Sequence, residues 1–206
     1  MYESHPSREK RAQDGALNDR RVSIMIEWFA HEYSLEVLKR APLIAPSRSF
    51  VFPQRVEDVE RGALYVMVRA GAASWLGIFA LGYDSPHTVT GVYPTPHPDR
   101  FLALAGGYAY FADASAPEQT QFLKQQPMVW IGYCMNPALL LLADHRTITA
   151  VGSEGVAWQT PPLSMEGLSE IRVEGAAVMG KGWDAISDQE HEFRVEMQDE
   201  GFLIRK

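Results

Sequence analysis

Phe101–Ser115 reads FLALAGGYAYFADAS, and Leu139–Ser153 reads LLLLADHRTITAVGS. Displaced by 38 residues (101 to 139), the two stretches coincide at Leu102/Leu140, Leu104/Leu142, Ala105/Ala143, Ala112/Ala150 and Ser115/Ser153. Each is an apolar run, a short polar or glycine break, and a second apolar run. Gly106-Gly107 in the break signals a two-residue hairpin turn, because both central residues of such a turn need positive φ. Asp144-His145 falls at the equivalent place. The pair invites reading as half of a catalytic relay. Adjacent residues of extended chain point to opposite faces, however, and a relay would need a nucleophile and an orienting group beside it. The expectation is a hairpin tip with exposed polar side chains, since Asp and His tolerate left-handed backbone better than most residues.

Working outward, the same texture covers the chain from about residue 48. Runs such as GALYVMVRAG, SWLGIFALGY, HTVTGVYP, MVWIGYC, LSEIRVEG and HEFRVEMQ are rich in β-branched and aromatic residues. Many of the 16 glycines and 13 prolines punctuate them. This is the pattern of many short antiparallel strands joined by tight turns. LYVMVRAG from Leu64 begins a weaker copy of the aligned unit. A period near 40 that holds several strands predicts a mainly-β fold, arranged as a small propeller or as a sandwich or barrel. Apolar hairpins also match one another through composition alone, so the repeat has a bland reading beside the architectural one.

The N-terminal part differs. Residues 1–21 are polar, charged and poor in aromatics, and they are expected to form a mobile tail. Residues 22–206 are expected to form one domain, a size that can bury a substantial core. In VSIMIEWFAHEYSLEVLKRAP, Ile24, Trp28, Tyr33, Leu35 and Leu38 fit a helical stripe ended by Pro42. SIMIEWF fits a strand equally well. The prediction therefore allows one N-terminal helix.

Composition narrows the function classes. With 46% hydrophobic and 22% charged residues, the 206-residue chain has an ordinary globular balance. A net charge of -7 argues against a broad nucleic-acid footprint and against attraction to an anionic membrane. The single cysteine, Cys134, rules out an intramolecular disulfide and fits a reducing compartment. The charged N-terminal region has no apolar signal core, and runs such as PALLLLA are too short to span a bilayer. A cytoplasmic location is expected, with no cofactor.

Several motifs fail on spacing. GAAVMGKG (175–182) has the glycines and Lys181 of a P-loop, but Gly182 stands where Ser or Thr would hold magnesium. VGSEGV lacks the residue between Gly152 and Ser153 that a nucleophile elbow requires. Cys134 sits in apolar WIGYCMNP and reads as a buried thiol. The six histidines, His5, His31, His87, His97, His145 and His191, form no H-x-x-x-H pair, so no metal site is expected. SDQEHEF gathers Asp188, Glu190, His191 and Glu192 and reads as an acidic turn entering a strand.

Aromatic residues remain. Tyr108 and Tyr110 share one strand face by period-2 spacing, and Trp75, Trp130, Trp158 and Trp183 each lie near a strand end or turn. Such residues line ligand clefts or fill sheet interfaces. His97 and Asp99 sit on the proline-stiffened loop PTPHPDRF, a place suited to binding. GGYAY (106–110), EGVAW (154–158), EGL (166–168) and GKGWD (180–184), in that order, resemble the signature of an uncharacterised group of bacterial proteins. The resemblance covers roughly residues 48–200 and implies one intact β-rich domain. It carries no activity, cofactor or catalytic residue. It marks Tyr108, Tyr110, Trp158, Trp183 and Asp184 for testing.

The leading expectation is a non-catalytic binding module for a small-molecule or protein ligand, with homo-oligomerisation open. One rival is a hydrolase or carbohydrate-active enzyme with paired carboxylates drawn from Asp99, Asp113, Asp144 and Asp184. Another is a subunit that self-associates through a strand edge.

Overall fold

The computed structural model describes residues 28–53, 59–83, 85–123, 127–198 and 201–205. Within them the chain is mainly β: sixteen strands form four sheets of four strands, taken up in chain order. Sheet one contains β1 (Tyr33–Leu38), β2 (Ser49–Phe52), β3 (Ala63–Ala70) and β4 (Ala73–Ala80), in the spatial order β1-β3-β4-β2. Sheet two is a meander of β5 (Gly91–Pro94), β6 (Arg100–Ala105), β7 (Tyr108–Asp113) and β8 (Gln121–Leu123). Sheet three follows with β9 (Trp130–Met135), β10 (Ala138–Ala143), β11 (Ile148–Gly152) and β12 (Gly155–Gln159). Sheet four closes with β13 (Leu168–Glu174), β14 (Ala177–Asp184), β15 (Gln189–Gln198) and β16 (Gly201–Arg205). Every pairing is antiparallel except β2 on β4, which is parallel. A 3-10 turn at Pro117–Gln119 links β7 to β8.

The two aligned stretches occupy the same place in successive sheets. FLALAGGYAYFADAS is the β6–β7 hairpin, and LLLLADHRTITAVGS is the β10–β11 hairpin. LYVMVRAG is β3, also the first strand of a central hairpin. The helical option for residues 24–38 does not hold over its second half. Tyr33–Leu38 is a strand in unbroken register with β3, its Tyr33, Leu35 and Val37 turned to the core. Cross-strand packing overrides a helical stripe that has only five apolar positions to offer. Residues 22–27 and the expected tail 1–21 lie outside the described residues.

Three apolar clusters join the sheets in series. The first contains Val66, Trp75 and Phe79 of sheet one with Phe101, Ala103 and Tyr110 of sheet two. The second has Leu102, Leu104 and Phe111 of sheet two against Leu140, Leu142 and Val151 of sheet three. The third has Leu141, Ile148 and Ala150 of sheet three against Val178, Phe193 and Val195 of sheet four. Sheets two and three are therefore covered on both faces. That explains why β6 and β10 are continuously apolar rather than alternating, with Leu140, Leu141 and Leu142 all fully buried. Each such side chain contributes about 1.5–3 kcal/mol. Polar tips in the first cluster are satisfied. Trp75 Nε1 donates to the Ala114 carbonyl (2.8 Å), and Tyr110 Oη donates to that of Ala80 (2.9 Å).

No helix of the described residues is long and apolar enough to cross a membrane. Gly180 and Gly182 of the rejected P-loop lie inside strand β14. A Cβ on Gly182 would meet the Leu163 carbonyl, so that glycine serves close packing. VGSEGV is the tight β11–β12 turn, and SDQEHEF leads from a turn into β15. Cys134 is buried, with Sγ 3.3 Å from the Asn136 carbonyl.

Candidate functional site

Construction of the site begins at Gly106-Gly107. Both residues have positive φ (+54° and +80°), as a two-residue hairpin demands. The turn is buried rather than exposed, because neighbouring segments hydrogen-bond to it. Gly82 and Tyr83 donate to the carbonyls of Ala105 and Gly106. Gly107 donates to Val89, Met128 donates to Gly107, and Val89 donates to Met128. Gly106 N–H donates to Thr90 Oγ1 at 3.0 Å. A Cβ on Gly106 would sit 2.8 Å from the Tyr83 carbonyl oxygen, and one on Gly107 2.8 Å from Pro127 Cβ. This backbone knot holds the β4–β5 loop and the chain at 127–129 against the end of sheet two. Thr88 Oγ1 stiffens the loop by donating to the Tyr83 and Ser85 carbonyls.

The Asp144-His145 tip is built differently. No residue there has positive φ, and the connection runs through four residues, Asp144 to Thr147. The expected two-residue left-handed turn is thus corrected. The Asp144 carboxylate accepts from Arg146 N (2.6 Å), Thr147 N (2.6 Å) and Thr147 Oγ1 (2.9 Å). This side-chain cap closes the loop without left-handed backbone. It also answers the relay question. Asp144 is engaged by its own turn, and His145 is exposed.

His145 faces a cleft. One hollow of about 420 Å³ is lined by Pro86, His87, Val129, Trp130, His145 and the start of β13, Leu168 to Ile171. A second, of about 510 Å³, is lined by Tyr83, Ser85, His87, Thr88, Pro127 and His145. The hollows share His87 and His145, two exposed histidines from separate loops. The first has a mixed wall, with Pro86, Val129, Trp130, Leu168 and Ile171 on its apolar side and His87, His145, Ser169 and Glu170 on its polar side. Glu170 has φ +51°, a conformation costly for a residue with a Cβ. It lies where the β13–β14 register shifts between Ser169 and Arg172. Its carboxylate accepts from Lys181 Nζ at 2.6 Å. That hydrogen bond raises the lysine's pKa and keeps it charged. Imidazoles donate and accept hydrogen bonds, so this arrangement suits a ligand with an apolar body and a polar edge.

The residues singled out from the sequence do not come together. Tyr108 and Tyr110 do share a face, both packing on Phe122 with centroids 5.3 and 5.2 Å away. Tyr110 is fully buried in the first cluster. His97 and Asp99 lie in the β5–β6 loop, where Asp99 N donates to His97 Nδ1 at 3.1 Å. Trp158 packs on Phe202 (4.9 Å) at the sheet three–sheet four interface, its buried Nε1 without a hydrogen-bond partner among the described residues. The Trp183 backbone hydrogen-bonds to Ser164 and Gly167. Asp184 caps the β14–β15 turn through Ile186 N and Ser187 Oγ, and those bonds lower its pKa.

The Asp113 carboxylate likewise accepts from Ser115 and Ala116. Burial opposes its charge, but these bonds together with Arg100 outweigh that and hold it below the usual carboxylate range. Asp113, Asp144 and Asp184 are all turn caps. Among the described residues no group of three or more His, Cys, Asp or Glu is placed to hold a metal.

In the sequence, His145 stands out as half of the Asp144-His145 tip, His87 only among the six histidines and Trp130 only as an aromatic near a strand end, while Glu170 is not singled out. No spacing rule links loops of different sheets. The signal that was available is their position at breaks between apolar runs. No family model matches the chain, and no curated protein matches it.

Proposed function

We propose that the protein is a soluble, cytoplasmic binding module that takes a small, partly apolar ligand in the cleft shared by His87 and His145, without chemistry of its own. The observation that carries this reading is the sharing itself. Two hollows of ligand size are both bordered by His87 and His145, from different loops, with Trp130 and two prolines as rigid walls. The prolines and the glycine knot keep the cleft preformed, which reduces the ordering cost of binding. Membership in the bacterial group with the GGYAY and GKGWD motifs belongs to the same proposal and rests on those motifs.

The engagement of Asp113, Asp144 and Asp184 as caps weighs against the paired-carboxylate reading. Two of them are held in the charged form and are poor proton donors near neutrality. Fragment screening by protein-detected NMR tests the proposal. Binders should shift the His87, Trp130 and His145 resonances together, and His87→Ala and His145→Ala should each weaken them at least fivefold. Fragments that cluster only elsewhere, or turnover of a hydrolase substrate abolished by one carboxylate substitution, would overturn it.

A further inference from the structure

Four open sheets present eight edge strands, and most carry a feature that discourages pairing with another chain. β2, β5 and β8 have four residues or fewer. β12 and β13 lie on register shifts, and β13 adds Glu170, Arg172 and Glu174. β9 contains Gly132, and Trp28 is laid over its Tyr133 at 4.7 Å. β16 begins with Gly201 and ends with Arg205. β1 is the least interrupted of them: its one charged residue, Glu36, is ion-paired with Arg69 of β3 at 2.8 Å, and His31 stacks on its first residue, Tyr33. Its six residues, YSLEVL, run in unbroken register with β3 and include no glycine, proline or basic residue. Among the described residues no strand pairs with its other side.

We propose that β1 is a dimerisation edge, and that two copies of the chain pair β1 antiparallel about a two-fold axis at Leu35. The register follows from face and charge. Opposed residues share a sheet face, so the axis must pass through a residue. An axis at Glu36 would oppose two Glu36 carboxylates, and one at Ser34 would oppose Glu36 to the partner's Glu32. An axis at Val37 engages only the end of the strand. At Leu35, five residues of each copy are engaged. Leu35 meets the partner's Leu35, Tyr33 meets the partner's Val37, and Ser34 meets the partner's Glu36. Apolar residues pair on the core side, and on the outer side each Glu36 carboxylate, already bonded to Arg69 of its own copy at 2.8 Å, faces a hydroxyl.

A second observation agrees. Leu43 and Ile44, just beyond β1, are 96% and 87% exposed between Pro42 and Pro46. They form an exposed apolar pair on the chain that leaves this edge. The result is one eight-stranded sheet across two copies. The edge belongs to sheet one and uses no residue of the histidine cleft, so the two proposals stand or fall separately.

Sedimentation velocity on the full chain, across a concentration series, tests it. The wild-type chain should dimerise. Ser34→Glu sets a new carboxylate against the partner's Glu36, twice per dimer, and should weaken the dimer about tenfold. Glu36→Gln should leave it intact, and Ser34→Glu with Glu36→Lys should restore it. Leu43→Ser with Ile44→Ser should weaken it as well. Ser34 and Glu36 are on the outer side, so unchanged thermal melts will show that the variants fold. A chain that stays monomeric at several hundred micromolar would overturn the proposal, as would a dimer indifferent to Ser34→Glu.

Discussion

The tips of the β6–β7 and β10–β11 hairpins stand at equivalent places in successive sheets and solve the same problem in opposite ways. Gly106-Gly107 reverses the chain in two residues with positive φ, and its bare backbone is hydrogen-bonded by three neighbouring segments. Asp144–Thr147 takes four residues, keeps ordinary φ, and closes on a carboxylate. The first tip is a structural anchor for the cleft wall, and the second presents a side chain into the cleft. The difference shows why glycine can be irreplaceable at one tip while the other tip has side chains free for a ligand.

The largest effect should come from Gly107→Ala. It adds left-handed strain and a Cβ within 2.8 Å of Pro127, and should cost about 2–4 kcal/mol in urea unfolding. Gly106→Ala should behave alike. If both prove neutral, the anchor role fails. Next, Asp144→Ala removes three accepted hydrogen bonds and should cost about 1–2 kcal/mol, with Asp144→Asn intermediate.

A smaller effect should appear with pH through Asp113, the cap closing the other end of the β6–β7 hairpin. Its pKa is lowered in the folded state, so its contribution is present above the unfolded value of about 3.9 and is lost as pH falls through the folded value. Asp113→Asn should flatten the acid limb of the stability profile, and an unchanged limb would count against the cap. The smallest stability change, within about 0.5 kcal/mol, is expected for the exposed His145→Ala. The same variant should lose ligand in the NMR assay, which separates presenting a ligand contact from holding the loop.

Strands in all four sheets were legible because burial imposes a period, or a continuous apolar run, that turn residues interrupt, but β1, β8 and β16 were not read as strands. The hairpins at 101–115 and 139–153 could even be aligned. The end of the second turn was misplaced by two residues. An Asp cap and a left-handed turn look alike in sequence, and only hydrogen-bond geometry separates them. The helical option erred over Tyr33–Leu38 because an amphipathic stripe and an edge strand share residues at short length. Tyr110 and Trp158 drew attention as aromatics and proved to be packing residues, since a ring's chemistry does not say which face of its strand is covered.

What the amino-acid order determined by itself is local: strand, turn and cap are set by side-chain period, by glycine's access to positive φ, and by carboxylates near free N–H groups. Tertiary structure alone decided which loops meet. His87 and His145 share a cleft because sheets two and three pack face to face and the glycine knot draws the β4–β5 loop against them. Such contacts depend on packing between residues far apart in the chain, and no local pattern encodes them.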